Sequence, residues 1–269
     1  MTFISPRRSR PRLLHAVLAA GVMGAMAGPV ALPPAYAADT DAASSFTPAQ
    51  RQEIVGIVRE ALKTDPTILS DAIAALRSSA NAAQQNAART ALDSHRAELL
   101  APAANDGVLG SATAHATVVE FYDPRCPYCR KVLPDLDRLT HEDTDLRIIE
   151  KVIPVLGQGS LIASQALVAA FLQGGQDAYF RMQRAVMNDS TAPTVERMRT
   201  LATQSGLNAT RLAADMNSQK VTAILEANLE LARAIGLDGT PTFVFNARQI
   251  IPGAVDYDAL KKAIAQNRQ

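Results

Sequence analysis

The only two cysteines of this chain stand in one motif, Cys126-Pro127-Tyr128-Cys129, at the point where a strand-like run gives way to a helix-like one. Residues 117–122 (Thr-Val-Val-Glu-Phe-Tyr) are mostly β-branched and aromatic, as a buried strand is. After the pair, Leu133, Leu136 and Leu139 recur at helical spacing. The junction sets a thiol at a helix N-terminus, among backbone N–H groups without intrahelical partners and at the positive end of the helix dipole. Those donors stabilise a thiolate, so Cys126 is expected to be a nucleophile near neutral pH. Cys129, one turn on, can close a disulfide with it. So small a loop constrains the unfolded chain little, which makes a purely structural bridge a poor reading.

Metal readings of the pair are weak for a countable reason. Zinc takes four ligands, so His115 and His141 would both have to converge on the cysteines. No metal ligand set and no cofactor is expected. Copper(I), which two soft thiolates suit, is the better metal alternative.

Residues 1–37 have the form of a secretory signal: Arg7, Arg8, Arg10 and Arg12, then an apolar stretch from Leu13 to Ala27, then Ala35-Tyr36-Ala37 as the cleavage site. The stretch is short for a membrane span and carries Gly21, Gly24, Gly28 and Pro29, so cleavage before Ala38 is expected rather than anchoring. Removing its four arginines leaves 23 basic against 26 acidic side chains, a net charge of −3 that gives no reason to expect nucleic acid as a partner.

Residues 38–101 read as a helical region. Thr47-Pro48-Ala49-Gln50 is a capped helix start, and Ile54, Ile57, Val58, Ala61 and Leu62 follow with helical period. Asp65-Pro66 interrupts, and Leu69, Ala72, Ile73 and Leu76 mark the next helix. Residues 78–100 are rich in Ala, Gln, Asn and Arg, with high helix propensity and little to bury. Such helices cannot make a core alone, so self-association through residues 47–101 is expected. Residues 102–116 read as a linker. The remaining 102–269 region is expected as one domain: strands at 117–122 and 146–152, a helical insertion at about 160–235, strands at 242–245 and 249–251, and a helix at 256–266. Its fold class is α/β, a thioredoxin fold with a helical insertion, preceded by an N-terminal α-helical extension.

Phe121-Tyr122-Asp123-Pro124-Arg125-Cys126-Pro127-Tyr128-Cys129 resembles the active-site segment of the DsbA-like periplasmic thiol–disulfide oxidoreductases. Val108-Leu109-Gly110 and Gly239-Thr240-Pro241-Thr242-Phe243 match that family's lead-in and its cis-proline loop, so the resemblance spans 108–269. The segment around Asp65-Pro66 resembles the helical extension of the ScsC-like branch, which is associated with copper tolerance and includes trimeric disulfide isomerases. The resemblance implies a periplasmic enzyme in which Cys126 attacks, Cys129 resolves, and Thr240 and a cis Pro241 hold substrate. It also implies a buried acid, Glu120, and base, Lys151, beneath the active site. Pro127 removes an N–H from the thiolate and Tyr128 replaces a cationic histidine, which predicts a potential less oxidising than DsbA. Asp123, Arg125 and Arg130 are expected to be solvated rim charges. Substrates would be unfolded or misoxidised secreted proteins, with a membrane redox partner and a homo-oligomer, a trimer by the resemblance. A disulfide isomerase or reductase is the leading expectation. A dithiol oxidase, or a copper(I)-binding protein using the same thiols, is the alternative.

Overall fold

The computed structural model describes residues 46–268, so the signal expected at 1–37 lies outside the described residues. The chain divides into two compact units between Pro66 and Thr67. The described part of the first is essentially one helix, α1 (Pro48–Thr64). It begins as its sequence demands: Thr47 Oγ1 accepts the Gln50 N–H at 3.3 Å, while Gln50 Oε1 accepts the Thr47 N–H at 2.8 Å. None of its residues is buried, and Ile54, Val55, Ile57, Val58 and Leu62 lie exposed.

The second unit opens with α2 (Thr67–Ser94) and α3 (Arg96–Leu100). Ile68, Leu69, Ile73 and Leu76 at the start of α2 are exposed. The far end differs from the expectation that 78–100 has little to bury: Leu92 and Leu99 are fully buried against Val119, Phe121, Ile149 and Val244. Two leucines suffice because the sheet supplies the rest of that core, which no count of apolar residues within the helix could reveal. Arg147 adds a polar tie, donating to Leu100 O at 2.7 Å.

The sheet has five strands in the order β1-β3-β2-β4-β5: β1 (Gly107–Gly110), β2 (Ala116–Tyr122), β3 (Leu146–Val152), β4 (Thr242–Phe245) and β5 (Gln249–Pro252). β1 falls inside the stretch expected to be a linker. Four residues are too few for a period, but they pair antiparallel with β3, Gly107 opposite Glu150. A side chain at Gly107 would collide with the Tyr179 ring, so the close approach requires glycine there. β2 and β3 run parallel, joined through α4 (Pro127–Glu142), which continues across Pro134.

Alternation sorts the strand side chains to two faces. Val118, Ile148, Phe243 and Phe245 meet Val132, Leu136 and Leu139 of α4 and Leu260 and Ile264 of α9 (Tyr257–Gln266). The other face carries Val119, Phe121 and Ile149 against Leu92, Leu99, Leu231 and Ile235. The insertion is α5 (Gln158–Asn188), α6 (Val195–Gln204), α7 (Ala209–Met216) and α8 (Gln219–Ala234). α5 breaks where expected, at Gly174 and Gly175, whose dihedrals are not helical. The start of α8 was missed, although Ser218 caps it by accepting the Val221 N–H at 3.3 Å. β4 and β5 are joined at Asn246 and Ala247, both at positive φ, with Arg248 N–H donating to Phe245 O at 2.9 Å, a type I′ hairpin.

Candidate active site

Cys126 is the N-cap of α4, in extended conformation, and Pro127 takes the first helical position, where its missing N–H costs nothing. The first unpartnered helix donors are therefore those of Tyr128 and Cys129. Both cysteine side chains are buried, Cys126 at 4% exposure and Cys129 at 1%. Exposure barely separates them; position does. Cys126 caps the helix and Cys129 lies a turn inside it. The Cys126 thiol donates to Thr240 O at 3.3 Å, and the Thr240–Pro241 peptide is cis. The motif and the 239–243 loop, far apart in sequence, thus meet at one sulfur. Pro127 and Tyr128 are exposed, Tyr128 at 64%.

Asp123 is not a rim charge. It is fully buried, and its carboxylate accepts the N–H groups of Arg125 at 2.8 Å, Val155 at 2.9 Å and Leu156 at 3.0 Å. Two loops are clamped to one carboxylate, which aims the exposed Val155 and Leu156 outward on the loop that follows β3. Arg125 is half-buried, its guanidinium donating to Asp189 O and Thr191 O, and Arg130 is half-buried with an unpartnered Nε. Asp123→Ala strands three N–H groups, and the unfolding free energy in urea should fall by about 3 kcal/mol, the scale of hydrogen bonds to a charged acceptor. A loss under about 1 kcal/mol would mean that the clamp is not what holds these loops.

Glu120 and Lys151 are both buried, at 2% and 3% exposure, but not against each other. Lys151 Nζ pairs with Asp106 Oδ2 at 2.8 Å, and the same oxygen accepts the Ala103 N–H at 2.8 Å. Lys151 shares strand parity with Ile149, so it sits on the sheet face away from Glu120. The residue facing Glu120 across the parallel register is Glu150, 1% exposed. Gln183 Nε2 donates to Glu150 Oε2 at 2.5 Å, and beside it the Tyr122 and Tyr179 hydroxyls bond at 2.5 Å. Sequence reading missed Glu150, Asp106 and the tyrosine pair. A carboxylate in each of two apolar strands was the available signal, but only the register makes them neighbours.

Burial and then the Glu150 charge hold the Glu120 carboxyl well above the usual carboxylate range. Burial raises Glu150 to about 8. Burial, then Glu120, also push the Cys129 thiol up, so this sulfur stays protonated until it has a base to give its proton to. His115 is exposed on Asp145, and among the described residues no group of three or more His, Cys, Asp or Glu side chains is arranged for a metal. No helix among the described residues is long and apolar enough to cross a membrane.

A buried thiol pair at a helix start, facing a cis-proline loop, can exchange disulfides, and the comparisons agree. A family model described as DSBA-like thioredoxin domain matches residues 117–265, and one described as copper resistance protein ScsC N-terminal domain matches residues 50–83. The fold is similar to that of Salmonella enterica Typhimurium BcfH, with a TM-score of 0.67 and 27% identity over 82% of this chain and 97% of that one. It is also similar to Proteus mirabilis ScsC in a transitional conformation, with a TM-score of 0.60 and 29% identity over 83% and 97%. Among curated proteins, a Na(+)/H(+) antiporter of Herminiimonas arsenicoxydans is 32% identical over 54% of this chain, which spans 23% of that antiporter's length. A protein named as a protein-disulfide oxidoreductase in Rickettsia conorii is 28% identical over 61% of this chain and 62% of its own length.

Proposed function

From the membership of this chain in the DSBA-like thioredoxin family, we propose that it acts on the disulfides of secreted proteins in the periplasm, as an isomerase or reductase. The observation that carries this reading is the Cys126 thiol, set at the start of α4 and bonded to the Thr240 carbonyl next to cis Pro241. Cys126 thiolate attacks a substrate disulfide, one substrate sulfur leaves as thiolate, and a mixed disulfide forms. In isomerisation another substrate thiolate then attacks that mixed disulfide and releases Cys126, with no net oxidation. In reduction Cys129 displaces the substrate and leaves a Cys126–Cys129 disulfide. Thr240 and Pro241 take the substrate main chain, and the apolar side chains of Tyr128, Val155 and Leu156 line the approach. A membrane partner returns the pair to dithiol.

Isomerisation is favoured over oxidation by the exposed apolar side chains of α1 and of the start of α2, which suit a homo-oligomer, a trimer, built through residues 47–101. Several active sites held around one substrate can rearrange its bridges. The test compares scrambled and reduced ribonuclease as substrates. Faster recovery of activity from scrambled ribonuclease supports isomerisation; activity on reduced ribonuclease alone assigns a dithiol oxidase. The copper-resistance description of the model matching 50–83 favours one rival, copper(I) held by the same thiols without turnover. Stoichiometric copper(I) binding with no effect on either ribonuclease would select it.

A further inference from the structure

The proton on Cys129 has to leave when this sulfur attacks the mixed disulfide, and the side chains beneath it are not an acid and a base. Glu120 and Glu150 stand opposite each other on adjacent parallel strands, 2% and 1% exposed. One oxygen of Glu150 accepts from Gln183 at 2.5 Å, and the other, Oε1, is buried with no partner. The lysine that could neutralise them is spent on Asp106, on the other face of the sheet. Two buried carboxylates on facing strands, neither of them ion-paired among the described residues, resist ionising together. The remaining groups that bear on the pair do not change this: Tyr122 from β2, Tyr179 and Gln183 from α5 and Asp137 from α4 act on Glu150, the two cysteines act on Glu120, and none adds positive charge. Arg184 on α5 is a cation that bears on Glu150, and its side chain is exposed.

We propose that Glu120 and Glu150 share one proton beneath the cysteines, and that Glu150 is a positioning residue which sets the pH at which Glu120 can take the proton of Cys129. The inference rests on the oxidoreductase reading. In the resolving step Cys129 S–H gives its proton to Glu120, the Cys129 sulfur bonds to Cys126, and the bond from Cys126 to the substrate sulfur breaks. The substrate leaves as a thiolate, so it gains the electron pair that the cysteine pair loses. Charge on Glu150 opposes ionisation of Glu120. Converting Glu150 to a neutral amide lowers the pH at which Glu120 becomes a base.

The experiment mixes reduced full-length protein with oxidised glutathione and follows release of the second glutathione against pH. In Glu150→Gln the inflection of that rate should move to lower pH by about one unit or more, the scale of repulsion between adjacent carboxylates. An unmoved inflection in a folded variant overturns the proposal. If the variant does not fold, wild-type protein carrying 13C-labelled glutamate carboxyls answers instead. Two buried carboxyl signals that titrate together in coupled steps support proton sharing; a Glu120 signal titrating alone in a single step overturns it. Failure of the oxidoreductase reading would look different: wild-type protein would release no glutathione at any pH, whatever the carboxyls do.

Discussion

Replacing Cys129 by serine should leave the protein covalently attached to its substrates through Cys126. The reason lies in the two positions on α4. Cys126 caps the helix and touches the Thr240 carbonyl, so in the proposed reaction it is the sulfur that a substrate next to Pro241 should meet first. Cys129 is a turn further in, nearly sealed, and its raised proton affinity keeps it a thiol until the mixed disulfide forms. Serine cannot close the bridge, so resolution stops while attack continues. Dithiol–disulfide turnover should fall on the order of a thousandfold or more, the scale for loss of a group that makes the covalent bond. Adducts should appear on non-reducing gels and vanish with reductant. Cys126→Ala should lose both turnover and adducts. Adducts that persist in Cys126→Ala would reverse the assignment of the two sulfurs.

Deleting residues 46–83 and deleting residues 46–101 should have opposite consequences for the catalytic domain. The first removes the stretch matched by the ScsC N-terminal model together with most of the exposed apolar side chains of α1 and α2. It should lower the mass in solution to that of one chain and abolish rescue of scrambled ribonuclease, while reaction with small dithiols continues. The second also removes Leu92 and Leu99, both buried on the sheet with Phe121 and Ile149. Losing one buried leucine side chain costs about 2–5 kcal/mol, against a total of about 5–15 for a domain. The longer deletion should therefore unfold well below the temperature of the shorter, as circular dichroism would report. Equal melting temperatures would remove these leucines from the core, and an unchanged mass after the shorter deletion would remove self-association from this stretch.

These expectations separate what sequence could carry from what it could not. The capping box at Thr47, the glycine break at Gly174-Gly175 and the Asn246 turn were legible because each depends on residues within a few positions of one another. The strand β1 was not, since four residues acquire their identity only by pairing with β3. Asp123 looked like a rim charge because its three donors come from its own turn and from a loop some thirty residues on. By resemblance Lys151 was the buried base beneath the active site, and alternation along β3 turned it to Asp106.

Sequence alone determined the place of the pair at a strand-to-helix junction, because helix capping and cysteine spacing are local. It also determined the α/β order of the longer elements, β1 and the start of α8 excepted, through the periods of their apolar residues. Only the tertiary structure decided what surrounds the sulfurs: a carbonyl from the Thr240 loop, a buried Asp123 clamp, and Glu150 rather than a lysine facing Glu120. Burial and strand register fix those neighbours, and both are properties of segments that meet only when the chain is folded.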